Sequence, residues 1–309
     1  MFSEYAGLVE AFPVFFAVLS GILGAVVGSF LNVVIHRVPM GRSIVRPRSQ
    51  CACGTPIAFH DNIPVLSWFI LRGRARCCGR PYSFRYPFVE MLVAGLFLWS
   101  WLVFPPAKAI AGWVFLSGLV CATFIDLDHL IIPDAFTVGG AVAGMLMSLA
   151  VPALHGHQGG DHLANVIQAG TDSMLGILIG SGMVLWIALL AEAVLKKEAM
   201  GFGDVKFMGA IGAFCGWQGT LFSLFGGAMV GTVWFVLALL WKQIAGPRAN
   251  IAPPAETPDG KPAELALGMH VPFGPMLAIA AGIYFLIAHG RFDRYLSDLA
   301  LILHAITSR

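Results

Sequence analysis

Residues 11–35 read AFPVFFAVLSGILGAVVGSFLNVVI, an apolar run without a charged side chain. An α-helix of about 20 apolar residues crosses the hydrocarbon core of a bilayer, so this run predicts a membrane-spanning helix. Similar runs recur along the chain, separated by short polar segments, and together they predict about eight helices in the membrane. They lie at residues 11–35, 87–104, 109–125, 135–152, 173–195, 205–217, 219–241 and 272–289.

The composition supports the same fold class. The 309 residues are 58% hydrophobic and only 12% charged, whereas about 25% of the residues in soluble domains are charged. A single soluble core is therefore excluded, and we expect an all-α polytopic membrane protein with the lipid bilayer as its main surrounding. The net charge of +2 is small and gives no indication of nucleic-acid binding.

The basic residues predict how the chain is oriented. Fifteen of the 19 Lys and Arg residues fall in segments 36–86, 196–206 and 242–271. With eight spans these segments lie on one side of the membrane, which the positive-inside rule makes cytoplasmic. Both termini are then predicted to be periplasmic. The acidic start of the chain, MFSEYAGLVEAF, has no basic region and does not resemble a cleaved signal.

Three polar stretches interrupt the apolar pattern. Residues 37–86 are rich in Arg, Pro and Cys and predict a small cytoplasmic domain between the first and second membrane helices. Residues 152–172 predict a periplasmic loop. Residues 243–271 are rich in Pro and Ala and predict a flexible cytoplasmic linker.

Few carboxylates lie at membrane depth, where an ionisable group indicates function. Asp126, Asp128 and Asp134 occur in FIDLDHLIIPD at residues 124–134, and Asp204 occurs in AMGFGDVKFMG at residues 199–209. All are predicted at the cytoplasmic ends of their helices. Three interpretations follow: ordinary charges that cap helix ends, a proton or ion relay in a transporter, or a catalytic pair of carboxylates.

Several ordered motifs resemble one family. Residues 201–204, GFGD, match the GxGD signature of intramembrane aspartyl proteases, and residues 126–134 resemble the first aspartate motif of bacterial type IV prepilin peptidases. Further similar motifs are GSFLNVVIHRVP at 28–39, DNIPVLSW at 61–68, RYPFVE at 85–90 and PFGP at 272–275. Their order along nearly the whole chain favours the protease over the transporter.

The resemblance implies a function and a set of site residues. It implies that Asp126 and Asp204 form the catalytic pair, without a metal ion, and that residues 87–309 form the peptidase domain. The enzyme is expected to cleave the basic leader of type IV prepilins or type II secretion pseudopilins at the cytoplasmic face of the bacterial inner membrane. The implied neighbours of the pair are Asp128, Asp134, Gly201, Gly203, Lys206, Pro272, Gly274 and Pro275.

Four of the six cysteines lie in the segment 37–86, and they are Cys51, Cys53, Cys77 and Cys78. Two pairs in a reducing compartment predict a structural zinc site, with unligated thiols as the alternative. Their CxC and CC spacing departs from the two CxxC pairs of related prepilin peptidases.

The resemblance also implies N-methylation of the new pilin N-terminus, with S-adenosylmethionine as the methyl donor. It links this activity to the N-terminal part of the chain, residues 1–36 and 37–86. Asn32, Glu90 and the Arg-rich loop are candidates for this activity, without assigned roles.

Overall fold

The computed structural model describes residues 7, 9, 11–51, 53–196, 200–245 and 272–307. These residues form helices and connecting loops, and within them the only β-type pairings are two isolated bridges in the Cys-rich segment. The helices are α1 Pro13–Arg37, α2 Leu66–Ile70, α3 Arg85–Val103, α4 Pro106–His129, α5 Val138–Ala150, α6 His162–Leu195, α7 Phe202–Ala245, α8 Gly274–Ile283 and α9 His289–Thr307. A short π-helical turn, Tyr284–Ala288, joins α8 to α9.

In the described part of the chain, six helical segments are long and apolar enough to cross a membrane, and α5 is a shorter apolar helix. Helix α7 has 44 residues, which corresponds to roughly 66 Å, about twice the thickness of the hydrocarbon core. It breaks at Gly216, where φ is 66° and ψ is −176°. Counting α5 and both halves of α7 gives the eight apolar segments that were expected, and the all-α polytopic fold class is confirmed.

Small residues let the helices pack closely. A Cβ atom at Gly24 of α1 would lie 2.8 Å from the Ala94 Cα atom of α3, and one at Gly28 would lie 2.8 Å from the Glu90 Cα atom. The backbones of α1 and α3 are therefore in direct contact. In lipid, where apolar burial drives association weakly, such close approach supplies much of the packing energy.

Helix α4 occupies the centre of the bundle and joins two apolar clusters. Phe115, Leu116 and Leu119 of α4 pack into the larger cluster with residues of α7 and α8. Val120, Cys121 and Ile125 pack into a second cluster with residues of α1 and α3. The C-terminal end of α4 is thereby fixed between both halves of the molecule.

Two predicted loops need correction. Residues 162–172 belong to α6 rather than to a loop, because the Asp161 side chain accepts a hydrogen bond from the Leu163 N–H group and caps the helix. The predicted linker 243–271 begins too early, since α7 continues through Ala245. The remainder of that linker, residues 246–271, lies outside the described residues.

Candidate active site

Asp126 lies in the last turn of α4 and is buried, with 6% of its surface exposed. Its Oδ2 atom accepts a hydrogen bond from the Gly274 N–H group at 3.2 Å. Helix α4 ends three residues later, because Leu130 adopts the left-handed conformation with φ of 55°. After this turn the chain brings Ile132 beside the contact between Asp126 and Gly274.

The N-terminus of α8 packs against the Asp126 carboxylate. Helix α8 starts at Gly274, with Pro275 in its first turn. A Cβ atom at Gly274 would lie 2.6 Å from Asp126 Oδ2 and 2.9 Å from Ile132 Cδ1, so only glycine lets this backbone N–H group reach the carboxylate. The free N–H groups at a helix start carry partial positive charge and favour a nearby anion.

Asp204 lies in the first turn of α7 and is partly buried. Its N–H group donates to the Gly201 carbonyl at 3.1 Å. A Cβ atom at Gly203 would lie 3.7 Å from the Ile132 Cβ atom, so Gly203 and Gly274 both pack against the same isoleucine. Asp204 follows Gly203 directly and Asp126 is bound by Gly274, so both carboxylates belong to residues beside this isoleucine contact.

The structure therefore brings the ends of α4, α7 and α8 together, although Asp126 and Asp204 are far apart in sequence. Pro272 and Pro275 flank Gly274 at this junction, and Pro275 is buried. Sequence reasoning does not identify Ile132 as part of the junction. Its apolar side chain follows a common pattern, and nothing in the sequence signals that two glycines meet it.

Two other acidic residues near the junction form ion pairs. Asp128 Oδ1 lies 2.6 Å from Arg85 Nη1 at the start of α3, and Asp134 Oδ1 lies 2.8 Å from Lys206 Nζ on α7. The hydrogen bond and the charge of Lys206 hold the pKa of Asp134 below its ordinary value. Asp128 and Asp134 are exposed, unlike Asp126. They join helices around the junction.

Comparison with known proteins identifies the family. The bacterial peptidase A24 N-terminal domain matches residues 22–104, and the type IV leader peptidase family matches residues 113–236. A prepilin leader peptidase/N-methyltransferase of Myxococcus xanthus is 38% identical over 254 residues, which cover 80% of this chain and 70% of that protein. The chain belongs to the type IV leader peptidase family.

Other members of the leader peptidase family show similar agreement. A protein of the same name from Pectobacterium carotovorum is 31% identical over 305 residues, which cover 91% of this chain and 96% of that protein. One from Klebsiella pneumoniae is 37% identical over 203 residues, which cover 63% of this chain and 83% of the relative. No solved structure matches the chain. The resemblance inferred from the motifs is confirmed.

An apolar groove of about 610 Å³ lies in the bundle of this leader peptidase family member, and neither Asp126 nor Asp204 lines it. It is lined by residues of α1, α3, α4, α5 and α7. Cys121, five residues before Asp126, and Phe207, three residues after Asp204, both line it. These separations correspond to about 7.5 Å and about 4.5 Å along the helices, so the groove begins within two helical turns of both carboxylates.

The four cysteines of the segment between α1 and α3 form a compact cluster. All four Sγ atoms lie within 4.8 Å of one another, with 3.5 Å between Cys51 and Cys78 and 3.4 Å between Cys53 and Cys77. Disulfide sulfurs are about 2.05 Å apart, whereas zinc bonds of about 2.3 Å in a tetrahedron place sulfurs about 3.8 Å apart. The cluster could therefore bind a metal ion.

The environment of Cys53 is also suited to a metal ligand. A hydrogen bond with the Thr55 hydroxyl, followed by one with the Thr55 backbone, lowers the pKa of the Cys53 thiol to about 6, whereas hydrogen bonds with Cys51 and Cys53 raise the pKa of Cys77. Metals bind the thiolate form. The unusual CxC and CC spacing thus still allows four sulfur ligands to converge.

Proposed function

We propose that this protein is a prepilin peptidase that uses Asp126 and Asp204 as a catalytic aspartate pair, and that it also N-methylates the new N-terminus of its product. The observation that carries the peptidase assignment is the junction of α4, α7 and α8. There, a buried Asp126 is held by the Gly274 N–H group, and Gly274 and Gly203, the residue before Asp204, pack against the same Ile132 side chain. The names of the relatives support both activities.

Two neighbouring carboxylates can divide the tasks of peptide hydrolysis. Like charges this close do not ionise together, so the pair holds one proton between its two members. The ionised member takes a proton from water, which attacks the scissile carbonyl carbon. The protonated member donates a hydrogen bond to the carbonyl oxygen and later supplies a proton to the leaving amine. The two residues titrate as one unit, so neither is assigned as the base.

The neighbouring residues position this pair. Gly274 donates its N–H group to Asp126, and Pro272 and Pro275 fix the start of α8 around it. Gly203 lets α7 begin close to Ile132, and a Cβ atom at Gly201 would lie 3.8 Å from Asp204 Oδ2. The ion pairs Asp128–Arg85 and Asp134–Lys206 hold the surrounding helices without taking part in proton transfer.

The substrates are precursors of type IV pilins or secretion pseudopilins. Each has a basic leader followed by an apolar helix. We place the apolar helix in the groove beside Cys121 and Phe207, because these two residues lie on α4 and α7 within two helical turns of Asp126 and Asp204. The scissile bond then lies at the membrane boundary, where the acidic residues attract the basic leader.

In the topology proposed here, the junction faces the cytoplasm and both termini are periplasmic, as the distribution of Lys and Arg indicates. We divide the chain into a first membrane helix at 1–36, a Cys-rich cytoplasmic domain at 37–86 and a peptidase domain at 87–309. The protein is a multi-pass inner-membrane enzyme in this assignment.

The metal of the Cys-rich domain is proposed to be zinc. Cys51, Cys53, Cys77 and Cys78 would hold the ion, and the fit of their Sγ separations to a tetrahedron supports it. Zinc with four sulfur ligands is structural and leaves no open position for catalysis. S-Adenosylmethionine is proposed as the methyl donor, since the relatives are named as N-methyltransferases.

The test of the proposed function is direct. Purified protein in detergent or nanodiscs is incubated with a prepilin that carries a Gly–Phe junction, and the product is analysed by mass spectrometry. Cleavage at this junction supports the peptidase, and a further mass increase of one methyl group on addition of S-adenosylmethionine supports the transferase. An intact precursor after prolonged incubation would contradict both.

A further inference from the structure

Helix α9 follows the last apolar segment of the chain and differs from it in composition. Residues 274–288 contain no charged side chain, whereas residues 289–298 contain four. Gly274 lies at the aspartate junction, and Arg291 follows 17 residues later, about 26 Å along a helix axis. The hydrocarbon core is about 30 Å thick. The charges of α9 therefore begin near the membrane boundary that lies opposite the aspartate junction.

The chain bends between α8 and α9. Residues eight positions apart are separated by about 12 Å along a straight α-helix, but the ring centroids of Tyr284 and Phe292 are only 6.3 Å apart. The Tyr284 hydroxyl also donates a hydrogen bond to Asp293 Oδ1 at 2.7 Å. Both contacts need α9 to turn toward the side of Tyr284. The π-helical turn between the two helices accounts for the bend, because such turns are common sites of kinks.

The bend turns one face of α9 toward the bundle. The ring of Phe222, on α7, lies 5.5 Å from the ring of Tyr284 and 5.2 Å from that of Phe292. Tyr284 is itself buried among the membrane helices. The face of α9 that carries Phe292 is therefore directed at the apolar part of the molecule.

This face continues along α9 as an apolar stripe, which consists of Phe292, Tyr295, Leu296, Leu299 and Ile302. Spacings of three and four residues place side chains on the same side of a helix. Tyr295, Leu299 and Ile302 are exposed, so no described residue covers them. A contiguous apolar surface of this kind indicates that something else covers it.

The remaining surface of α9 is polar. Arg291 and Arg294 lie at its start and are exposed, and the Arg294 Nε atom donates to the Gly290 carbonyl at 2.7 Å. Guanidinium groups bind phosphate oxygens through paired hydrogen bonds. An apolar stripe with arginines beside it matches the boundary between the acyl chains and the headgroup phosphates of a bilayer.

The position of the stripe favours lipid over a protein partner. The stripe begins at the contact between Phe292 and Phe222, and Phe222 belongs to an apolar membrane segment of α7. Acyl chains already surround this level of the bundle. A soluble partner would have to displace them in order to reach the stripe.

We propose that α9 lies in the plane of the membrane surface opposite the aspartate junction, with its apolar stripe among the acyl chains and Arg291 and Arg294 at the level of the headgroup phosphates. The helix anchors the end of the last span at the interface. This anchor is independent of the proposed peptidase and transferase activities.

The first experiment identifies what covers the stripe. Full-length protein is placed in nanodiscs of phosphatidylethanolamine and phosphatidylglycerol, with photoactivatable benzoylphenylalanine in place of Leu299 or of Ser297. Ser297 is the matched control, because it lies about 160° away around the same helix. After irradiation, mass spectrometry should find lipid adducts at least about tenfold more often for Leu299→benzoylphenylalanine than for the control, since only the apolar face enters the acyl chains.

The second experiment measures whether the stripe holds α9 by hydrogen exchange of its backbone amides in the same nanodiscs. Leu299→Glu combined with Ile302→Glu places two carboxylates on the stripe. Exchange in α9 should accelerate by at least about tenfold, because charges are costly in the acyl region. Ser297→Glu combined with Leu301→Glu adds the same two charges to the other face and should exchange like the wild type.

Several results would overturn the proposal. Cross-links between two protein copies through Leu299→benzoylphenylalanine would make the stripe a dimer interface. Equal lipid adducts from both photoactivatable variants would show that α9 is not confined to the interface, and adducts from neither would show that no lipid covers it. Equal exchange in the two double-Glu variants would also contradict the anchor. If the variant with charges on the stripe does not accumulate in the membrane, the cross-linking result decides.

Discussion

The Gly274 N–H group donates a hydrogen bond to Asp126 Oδ2 at 3.2 Å, between residues 148 positions apart. This contact places the positive end of α8 against a buried carboxylate. It helps to define the geometry of the proposed catalytic pair, and the first two predictions test it.

Asp126→Asn and Asp204→Asn should each abolish leader cleavage while expression and membrane insertion stay normal. Neither amide can act as a general base or share a proton with its partner, so a loss of at least about 10³-fold is expected. Cleavage of a prepilin is measured by gel shift. Asp128→Asn is the control, since Asp128 pairs with Arg85 on the exposed side, and it should be milder. More than a tenth of normal turnover in either catalytic variant would falsify the assignment.

Gly274→Ala should lower leader cleavage by about 10–100-fold, the size of effect expected when a catalytic group is displaced by about 1 Å. The new Cβ atom would lie 2.6 Å from Asp126 Oδ2 and must displace the carboxylate. Gly290→Ala is the matched control, because nothing lies within 4 Å of a Cβ atom there. Equal activity of the two variants would show that the close approach of α8 is unimportant.

The purified protein should contain about one zinc ion per chain, measured by mass spectrometry of the metal. Cys53→Ser combined with Cys78→Ser should release the ion and make the Cys-rich segment sensitive to limited proteolysis. Cys121→Ala, within α4, serves as the control and should retain the metal. If the wild-type protein contains no metal and still resists proteolysis, the cysteine cluster is not a zinc site.

Gly118→Leu should raise the KM for prepilin by at least about fivefold, which corresponds to roughly 1 kcal/mol of lost binding. Gly118 lines the apolar groove, and nothing lies within 4 Å of a Cβ atom at this position, so leucine would occupy the groove without a clash at Cβ. Gly95→Leu on α3 is the control, because a Cβ atom there is equally free of contacts and Gly95 does not line the groove. Unchanged KM in Gly118→Leu would argue against substrate binding there.

Acidification should destabilise the protein partly through His155, between α5 and α6. Burial lowers the pKa of His155 to about 4, and its Nε2 atom lies 2.8 Å from the Ser148 hydroxyl. Because the unfolded chain binds the proton near pH 6.5, stability is complete above that pH and falls as pH drops towards 4, by at most about 3 kcal/mol.

Thermal unfolding in detergent between pH 4 and 7.5 measures this effect. The melting temperature of His155→Gln should depend less on pH than that of the wild type, since the amide does not titrate. His162→Gln, on the exposed start of α6, is the control and should retain the wild-type slope. Parallel curves for His155→Gln and wild type would exclude His155 as the source.

The amino-acid sequence determines the fold class and the family of this protein. Uncharged runs such as residues 11–35 can satisfy their backbone groups in lipid only as helices, so the helical segments follow from local composition. The GFGD and FIDLDHLIIPD motifs identify the candidate aspartates for the same reason, because a carboxylate at membrane depth is rare. The prediction of a loop at residues 152–172 is wrong for residues 162–172. This stretch is polar enough to resemble a loop, but the Asp161 side chain caps α6 and the helix extends through it.

Only the tertiary structure decides which distant groups meet. The contact between Gly274 and Asp126, the packing of Gly203 and Gly274 on Ile132, and the Arg85–Asp128 pair join segments separated by tens of residues or more. The bend from α8 into α9 likewise depends on contacts with α7. Local sequence specifies each helix because its hydrogen bonds are internal. The pairing of helices depends instead on the shape and spacing of side chains across the bundle, which no single segment contains.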